Sequence, residues 1–140
     1  MADAVQLVED NSLQATGAGF EVKIRLLWYR SLPLSCIEHI QLSLDGQAID
    51  PGFILFGING HQYMLEQLAD LVEEYWFIQD SAILSVKQAG VVVKGQSYTI
   101  GVDVAMRFPY IPIGPGKFLT NIYKYSATQE PIEARKIDDE

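Results

Sequence analysis

From Phe20 to Trp28 apolar and polar residues alternate without a break. Phe20, Val22, Ile24, Leu26 and Trp28 fall on one side, and Glu21, Lys23 and Arg25 on the other. A period of two sends successive side chains to opposite faces of a strand. The stretch Ile37 to Asp45 repeats the pattern, with Ile40, Leu42 and Leu44 opposed to Gln41 and Ser43. A third and longer run, Ser97 to Phe108, turns Tyr98, Ile100, Val102, Val104, Met106 and Phe108 one way. Thr99, Gly101, Asp103, Ala105 and Arg107 turn the other. Strands with one apolar face belong to antiparallel sheets that cover a core on one side; parallel strands would be apolar on both.

Shorter elements fill the intervals. Residues 4–15 alternate weakly through Val5, Leu7 and Leu13 and predict one short edge strand. Phe53 to Ile58 and His61 to Leu65 flank Asn59-Gly60, and Asp45-Gly46 leads into a short strand at Gln47 to Ile49; both dipeptides are two-residue hairpin signals. Between Glu66 and Tyr75 the period lengthens, with Leu65, Leu68, Ala69, Leu71 and Val72 at helical spacing, so one short helix is predicted there. Tyr75 to Ile78, Ala82 to Lys87 and Phe118 to Tyr125 return to strand character, and Ala89 to Gly95 is a glycine-bounded crossing segment. Prolines at 109, 112 and 115 keep Pro109 to Gly116 out of any central strand. About eight short strands with turn signals at regular intervals predict an all-β fold, an antiparallel β-sandwich with one short helix. Residues 1–128 are expected to form its single domain, with 129–140 expected as an acidic, flexible tail.

Composition narrows the function classes. A chain of 140 residues, 49% of them hydrophobic, supplies a core without staples. The single cysteine, Cys36, has no internal disulfide partner, and the first ten residues hold no basic residue of an export signal. A reducing cytoplasm is therefore the expected compartment. No apolar run approaches the roughly 20 residues of a spanning helix, so a soluble chain without a membrane partner is expected. A formal charge of −8 argues against nucleic acid, whose phosphates call for clustered Lys and Arg.

Candidate chemistry is sparse. His39 and His61 lie on different predicted strands, and Cys36 and His39 would face opposite sides of one strand, which disfavours a dyad. Glu73 and Glu74 are neighbours on a predicted helix and do not face each other. No phosphate loop, nucleophile elbow or paired-cysteine motif occurs, so no catalytic, cofactor or metal residue is assigned to this chain. What stands out is apolar material in loops: Leu32, Pro33 and Leu34 in one, and Pro109, Tyr110, Ile111, Pro112 and Ile113 in another. Either these loops plug the ends of the sandwich, or they form a docking surface anchored by Tyr29, Arg30 and Tyr110, residue types that interfaces favour.

The stretch Gly19 to Glu38, with Tyr29-Arg30-Ser31-Leu32-Pro33-Leu34-Ser35 at its centre, resembles the small, or beta, subunit of bacterial C-glycoside deglycosidases. The likeness continues through Leu44-Asp45-Gly46, Asn59 to Leu65, Tyr75-Trp76, Gly95 and Arg107 to Pro112, covering about residues 19–113. The resemblance implies a β-sandwich working with a larger alpha subunit similar to sugar-phosphate isomerases and epimerases, a TIM barrel holding a divalent metal, usually manganese. The pair would assemble as αβ units and cleave the C–C bond between a 3-oxo sugar and an aromatic aglycone of flavonoid type. A C3 ketone acidifies the C2 hydrogen, a metal on its oxygen stabilises the enolate, and β-elimination expels the protonated aryl group. All of that chemistry would belong to the alpha subunit. The partner interface expected here comprises Tyr29, Arg30, Leu32, Pro33, Leu34, Phe108, Tyr110, Ile111, Pro112 and Ile113. A different class stands beside this reading: a free-standing carbohydrate- or aglycone-binding sandwich, with Trp28, Trp76 and Tyr110 as stacking platforms. An assembly or chaperone subunit is a third.

Overall fold

The computed structural model describes residues 7–25, 31–77, 80–93 and 95–133, without the side chains of Pro109, Tyr110 and Glu133. Three sheets hold its described strands. The six-stranded sheet runs in the order β12 (Ile132–Glu133), β1 (Gln14–Ala15), β2 (Phe20–Arg25), β9 (Ser81–Val86), β6 (Ile54–Ile58), β7 (His61–Met64). The four-stranded sheet runs β11 (Lys117–Gln129), β10 (Tyr98–Gly114), β4 (Ile37–Leu44), β5 (Gln47–Ala48), and β3 (Leu32–Pro33) pairs separately with β8 (Tyr75–Trp76). Every pair is antiparallel except β1 with β12.

The alternation read from the sequence decides which faces meet. Phe20, Val22 and Ile24 of β2, Leu84 of β9 and Phe56 of β6 share one core with Leu42 of β4 and Ile100, Val102 and Val104 of β10. Burial of these side chains, at roughly 25 cal/mol per Å² of apolar surface, is what holds the sheets face to face. The two hairpin dipeptides adopt the turn they announce. Asp45-Gly46 has φ of 51° and 87° and Asn59-Gly60 has 55° and 80°, the double positive φ of a type I′ turn.

The structure adjusts some of these expectations and leaves one outside the described residues. The helix expected from Glu66 to Tyr75 is a 3-10 segment, Leu65–Asp70. With three residues per turn it is Leu65, Leu68 and Leu71 that turn inward, while Ala69 and Val72 are exposed. The weak edge strand near the N-terminus is not an edge, because Ile132–Glu133 pairs outside Gln14–Ala15. The strand expected from Phe20 to Tyr29 is described only to Arg25; Leu26 to Arg30 lie outside the described residues.

Residues 129–133, placed with the tail by composition, belong to the sheet. Gln129 is buried; its side-chain oxygen accepts from the Ser12 and Leu13 amides at 3.1 Å each, and its amide donates to the Glu9 carbonyl at 2.9 Å. A buried amide with its groups paired ties the end of β11 to the N-terminal segment.

Candidate partner-binding surface

The loop that carries the family likeness is an internal tie. Its residues Leu32 and Pro33 form β3 on β8, the Leu34 amide donates to the Glu74 carbonyl at 2.8 Å, and the Ser35 amide to that of Leu71 at 3.1 Å. A 3-10 turn, Leu34–Cys36, follows. Leu32, Leu34 and Cys36 are buried. Burial pushes the Cys36 thiol above its ordinary value, while the Arg107 guanidinium beside it pulls the other way. Leu32 and Leu34, expected on a partner surface, are therefore core residues. The loop zigzags, and the apolar side of the zigzag turns inward. Pro33, on the other side, is half-buried. Tyr29 and Arg30 lie outside the described residues.

The second apolar stretch behaves differently. β4 accompanies β10 only up to the pair of Ile37 with Met106. Beyond it, among the described residues, β10 pairs with β11 alone, and the register slips between Phe108 and Pro112 and again before Gly114. The slip falls where Pro109 and Pro112 lack ladder donors. Phe108 is fully buried and is a correction to the expected interface. Ile111 packs partly on the core, Pro112 is exposed, and Ile113 is 63% exposed, with Phe118 across the hairpin also exposed. Residues 109–118 thus form an arm with an apolar tip. Of Tyr110 only the backbone is described. At the arm's base, Arg107 Nη1 donates to Glu38 Oε2 at 3.1 Å and Nη2 to the Ser35 carbonyl at 3.4 Å, joining arm to loop.

On the other side of the loop the fold assembles a cluster that sequence reasoning missed. Asn59 Nδ2 donates to the Tyr75 carbonyl and to Glu74 Oε2, both at 2.8 Å. His61 Nδ1 lies 3.9 Å from the same carboxylate, and His61 and Tyr63 rings are 6.1 Å apart. Desolvation and the Glu74 carboxylate together raise the Tyr63 phenol above its ordinary value. Tyr75 and Phe77 stack at 6.0 Å with an interplanar angle of 26°, and Tyr75 is 40% and Phe77 50% exposed. The segments Asn59 to Leu65 and Tyr75-Trp76, quoted separately for their family likeness, thus meet at one place. A charge signal could have found it: from Ser31 to Val86 the chain carries eight acids and no Lys or Arg.

The two histidines do not converge. His39 borders an open groove of about 510 Å³ with Ile37, Met64 and Leu65, whereas His61 borders a separate hollow of about 340 Å³ floored by Gly57, Ile83 and Ser85. Among the described residues no three His, Cys, Asp or Glu side chains come together to hold a metal ion. No described helix is long and apolar enough to cross a membrane. Trp76, the one platform candidate whose side chain is described, is buried edge-on to Phe56 with centroids 5.6 Å apart, and its Nε1 donates to the Asp80 carbonyl at 2.9 Å. It stacks no sugar in this arrangement.

Residues 4–110 match a family described as the C-glycoside deglycosidase beta subunit. The 3'-dehydrocarminate deglycosidase beta subunit of a Microbacterium species is 32% identical over 108 residues, 77% of this chain and 80% of the relative. A C-glycoside deglycosidase beta subunit of Microbacterium trichothecenolyticum is 29% identical over 129 residues, 92% of this chain and 97% of the relative. One from Arthrobacter globiformis is 32% identical over 108 residues, 77% and 82%. The family match takes in the N-terminal segment from residue 4, the loop and the aromatic cluster, and ends at Tyr110, before the exposed tip of the arm.

Proposed function

The chain belongs to the C-glycoside deglycosidase beta-subunit family, and we propose from that premise that it is the accessory, non-catalytic member of a cytoplasmic complex. The complex cleaves the sugar–aglycone C–C bond of 3-oxo-C-glycosides of flavonoid type. The single observation that carries this reading is the family match over residues 4–110.

The reaction is a β-elimination. A base takes the C2 proton that the C3 ketone acidifies; the electron pair becomes the C1–C2 double bond as the C1–aryl bond breaks; an acid delivers a proton to the aromatic carbon. Base and acid reside in a TIM-barrel alpha subunit, and the divalent metal, of manganese type, is that subunit's as well. The beta subunit supplies no reacting group. It docks through the Ile111 to Ile113 arm and the surface beside Pro33, and stiffens the mouth of the partner's site, holding the reacting groups in place.

Purified alpha and beta subunits, assayed separately and mixed on a 3-oxo-C-glucoside, test the reading. Cleavage by the mixture, with none by the beta subunit alone, is expected. Turnover by the isolated beta subunit, or a mixture no more active than alpha alone, would overturn it.

A further inference from the structure

Resting on the subunit reading above, we infer that Tyr75 and Phe77, with the acids around them, form a docking site for a basic-rimmed apolar patch on the alpha subunit. It is a second contact, distinct from the arm. Val72, Tyr75 and Phe77 are exposed within one short run, at 63%, 40% and 50%. Large aromatic side chains left in water are a marker of interfaces, and Tyr is a preferred anchor. The pair is pre-organised: the rings stack on each other, and β8 is held by its pairing to Leu32–Pro33 and by Asn59. Little side-chain freedom remains to be lost on binding.

Charge argues against a second copy as the occupant and for a partner of opposite sign. Asp80, whose amide donates to the Phe77 carbonyl at 3.1 Å, and Glu73 are exposed next to the pair along the chain, Glu74 beside them is half-buried, and Asp70 is exposed in the preceding 3-10 segment. The chain's formal charge is −8, and of the eight acids that lie between Ser31 and Val86 without a Lys or Arg, four (Asp70, Glu73, Glu74 and Asp80) fall in the run that holds the pair. A second copy of the chain would bring the same acids face to face in a two-fold contact, which repulsion disfavours. The β10–β11 hairpin is of opposite sign, with Arg107, Lys117 and Lys124 against Asp103. Loop residues Pro33 and Ser35 connect the two, the first through its pairing with Tyr75 and the second through Arg107. The docking end thus has an anionic aromatic patch on one side of the loop and, on the other, a hairpin whose Arg107 is paired with Glu38 and whose Lys117 lies beside the apolar tip. A partner carrying the opposite pattern is accepted in one orientation only.

The test measures affinity of the full-length beta subunit for the purified alpha subunit by calorimetry and association kinetics at low and high salt. Phe77→Ser is expected to weaken binding at least tenfold at both salt concentrations. The double reversal Asp70→Lys with Glu73→Lys is expected to slow association about tenfold at low salt, with the difference closing at high salt as screening shortens the range of the charges. Both sites are exposed, so the reversal reads the surface even where Phe77→Ser perturbs folding. Wild-type affinity in the folded reversal variant at both salt concentrations, or in both variants, would overturn the inference. So would self-association of the beta subunit that Phe77→Ser abolishes, since the occupant would then be a second copy. If the wild-type chain fails to bind the alpha subunit at all, it is the subunit reading that falls.

Discussion

Two stretches of this chain look alike as sequence and differ completely as structure. Leu32-Pro33-Leu34 and Ile111-Pro112-Ile113 are both apolar residues around a proline in a connection. In the first the leucines are buried, while in the second Ile113 is 63% exposed and Ile111 only partly covered. The difference is one of cover. The first stretch finds β8 beside it and the 3-10 segment Leu65–Asp70 near it, and both of its leucines join the common core. The second lies beyond the end of β4, where β11 is its one strand neighbour among the described residues. Apolar loop content is therefore not evidence of a docking surface until the elements that could cover it have been placed.

The contrast can be broken most directly at Leu34. Leu34→Asp is expected to abolish cooperative folding, since it sets a carboxylate in a fully buried apolar site. Leu34→Ala should cost about 2–5 kcal/mol, read as a lowered urea midpoint. A Leu34→Asp chain with a native circular dichroism spectrum would show the loop to be surface after all. Trp76, on the strand that covers the loop, belongs to the same side of the comparison. Its truncation to Ala is expected to cost about 3–5 kcal/mol, again by urea unfolding; a negligible loss would mean that β8 is not what holds the loop in.

A smaller effect is expected at Gln129, where chain ends rather than loops are tied. Gln129→Ala leaves the Ser12 and Leu13 amides without their acceptor and should cost about 1–3 kcal/mol, measured in the same unfolding assay. On the exposed side of the contrast, Ile113→Ser should change stability by no more than about 0.5 kcal/mol. It is nonetheless expected to weaken alpha-subunit binding several-fold. A strong destabilisation by this substitution would erase the distinction between loop and arm.

The smallest expected effect is a pH dependence confined to the buried loop. The Cys36 thiol is raised above its ordinary 9.0 by burial first, with Arg107 opposing. Its contribution to stability is therefore complete below the unfolded value and is lost as pH rises through the folded one. Wild-type stability should fall on the alkaline side of pH 9.0 more steeply than that of Cys36→Ala. Parallel profiles would remove the thiol from the account.

Much was legible in the residue pattern because period two is a local property. Strand faces, the two hairpin turns and the exclusion of the proline-rich stretch after Phe108 from a central strand follow from residues within a few positions of each other, and the structure bears them out, although β10 itself runs on to Gly114. The short helical turn expected between Glu66 and Tyr75 is present, at Leu65–Asp70; its 3-10 type was not legible because apolar residues spaced three and four apart suit both helical periods, and packing of Leu65, Leu68 and Leu71 selects the tighter one. The family likeness was legible as well, but the role of its densest motif was not. Nothing in Leu32-Pro33-Leu34 records that Tyr75-Trp76, some forty residues on, will pair with it.

The sequence by itself thus determined the all-β class, the inward faces of the long strands, the family, and the concentration of negative charge between Ser31 and Val86. Only the tertiary structure decided which apolar loop is covered. It also decided that β11 continues to a buried Gln129, and that Asn59, Glu74, Tyr75 and Phe77 share one surface. The physical reason is that burial is a property of neighbours. A side chain's polarity is written at its own position, whereas the surface that shields it comes from strands paired across long stretches of chain.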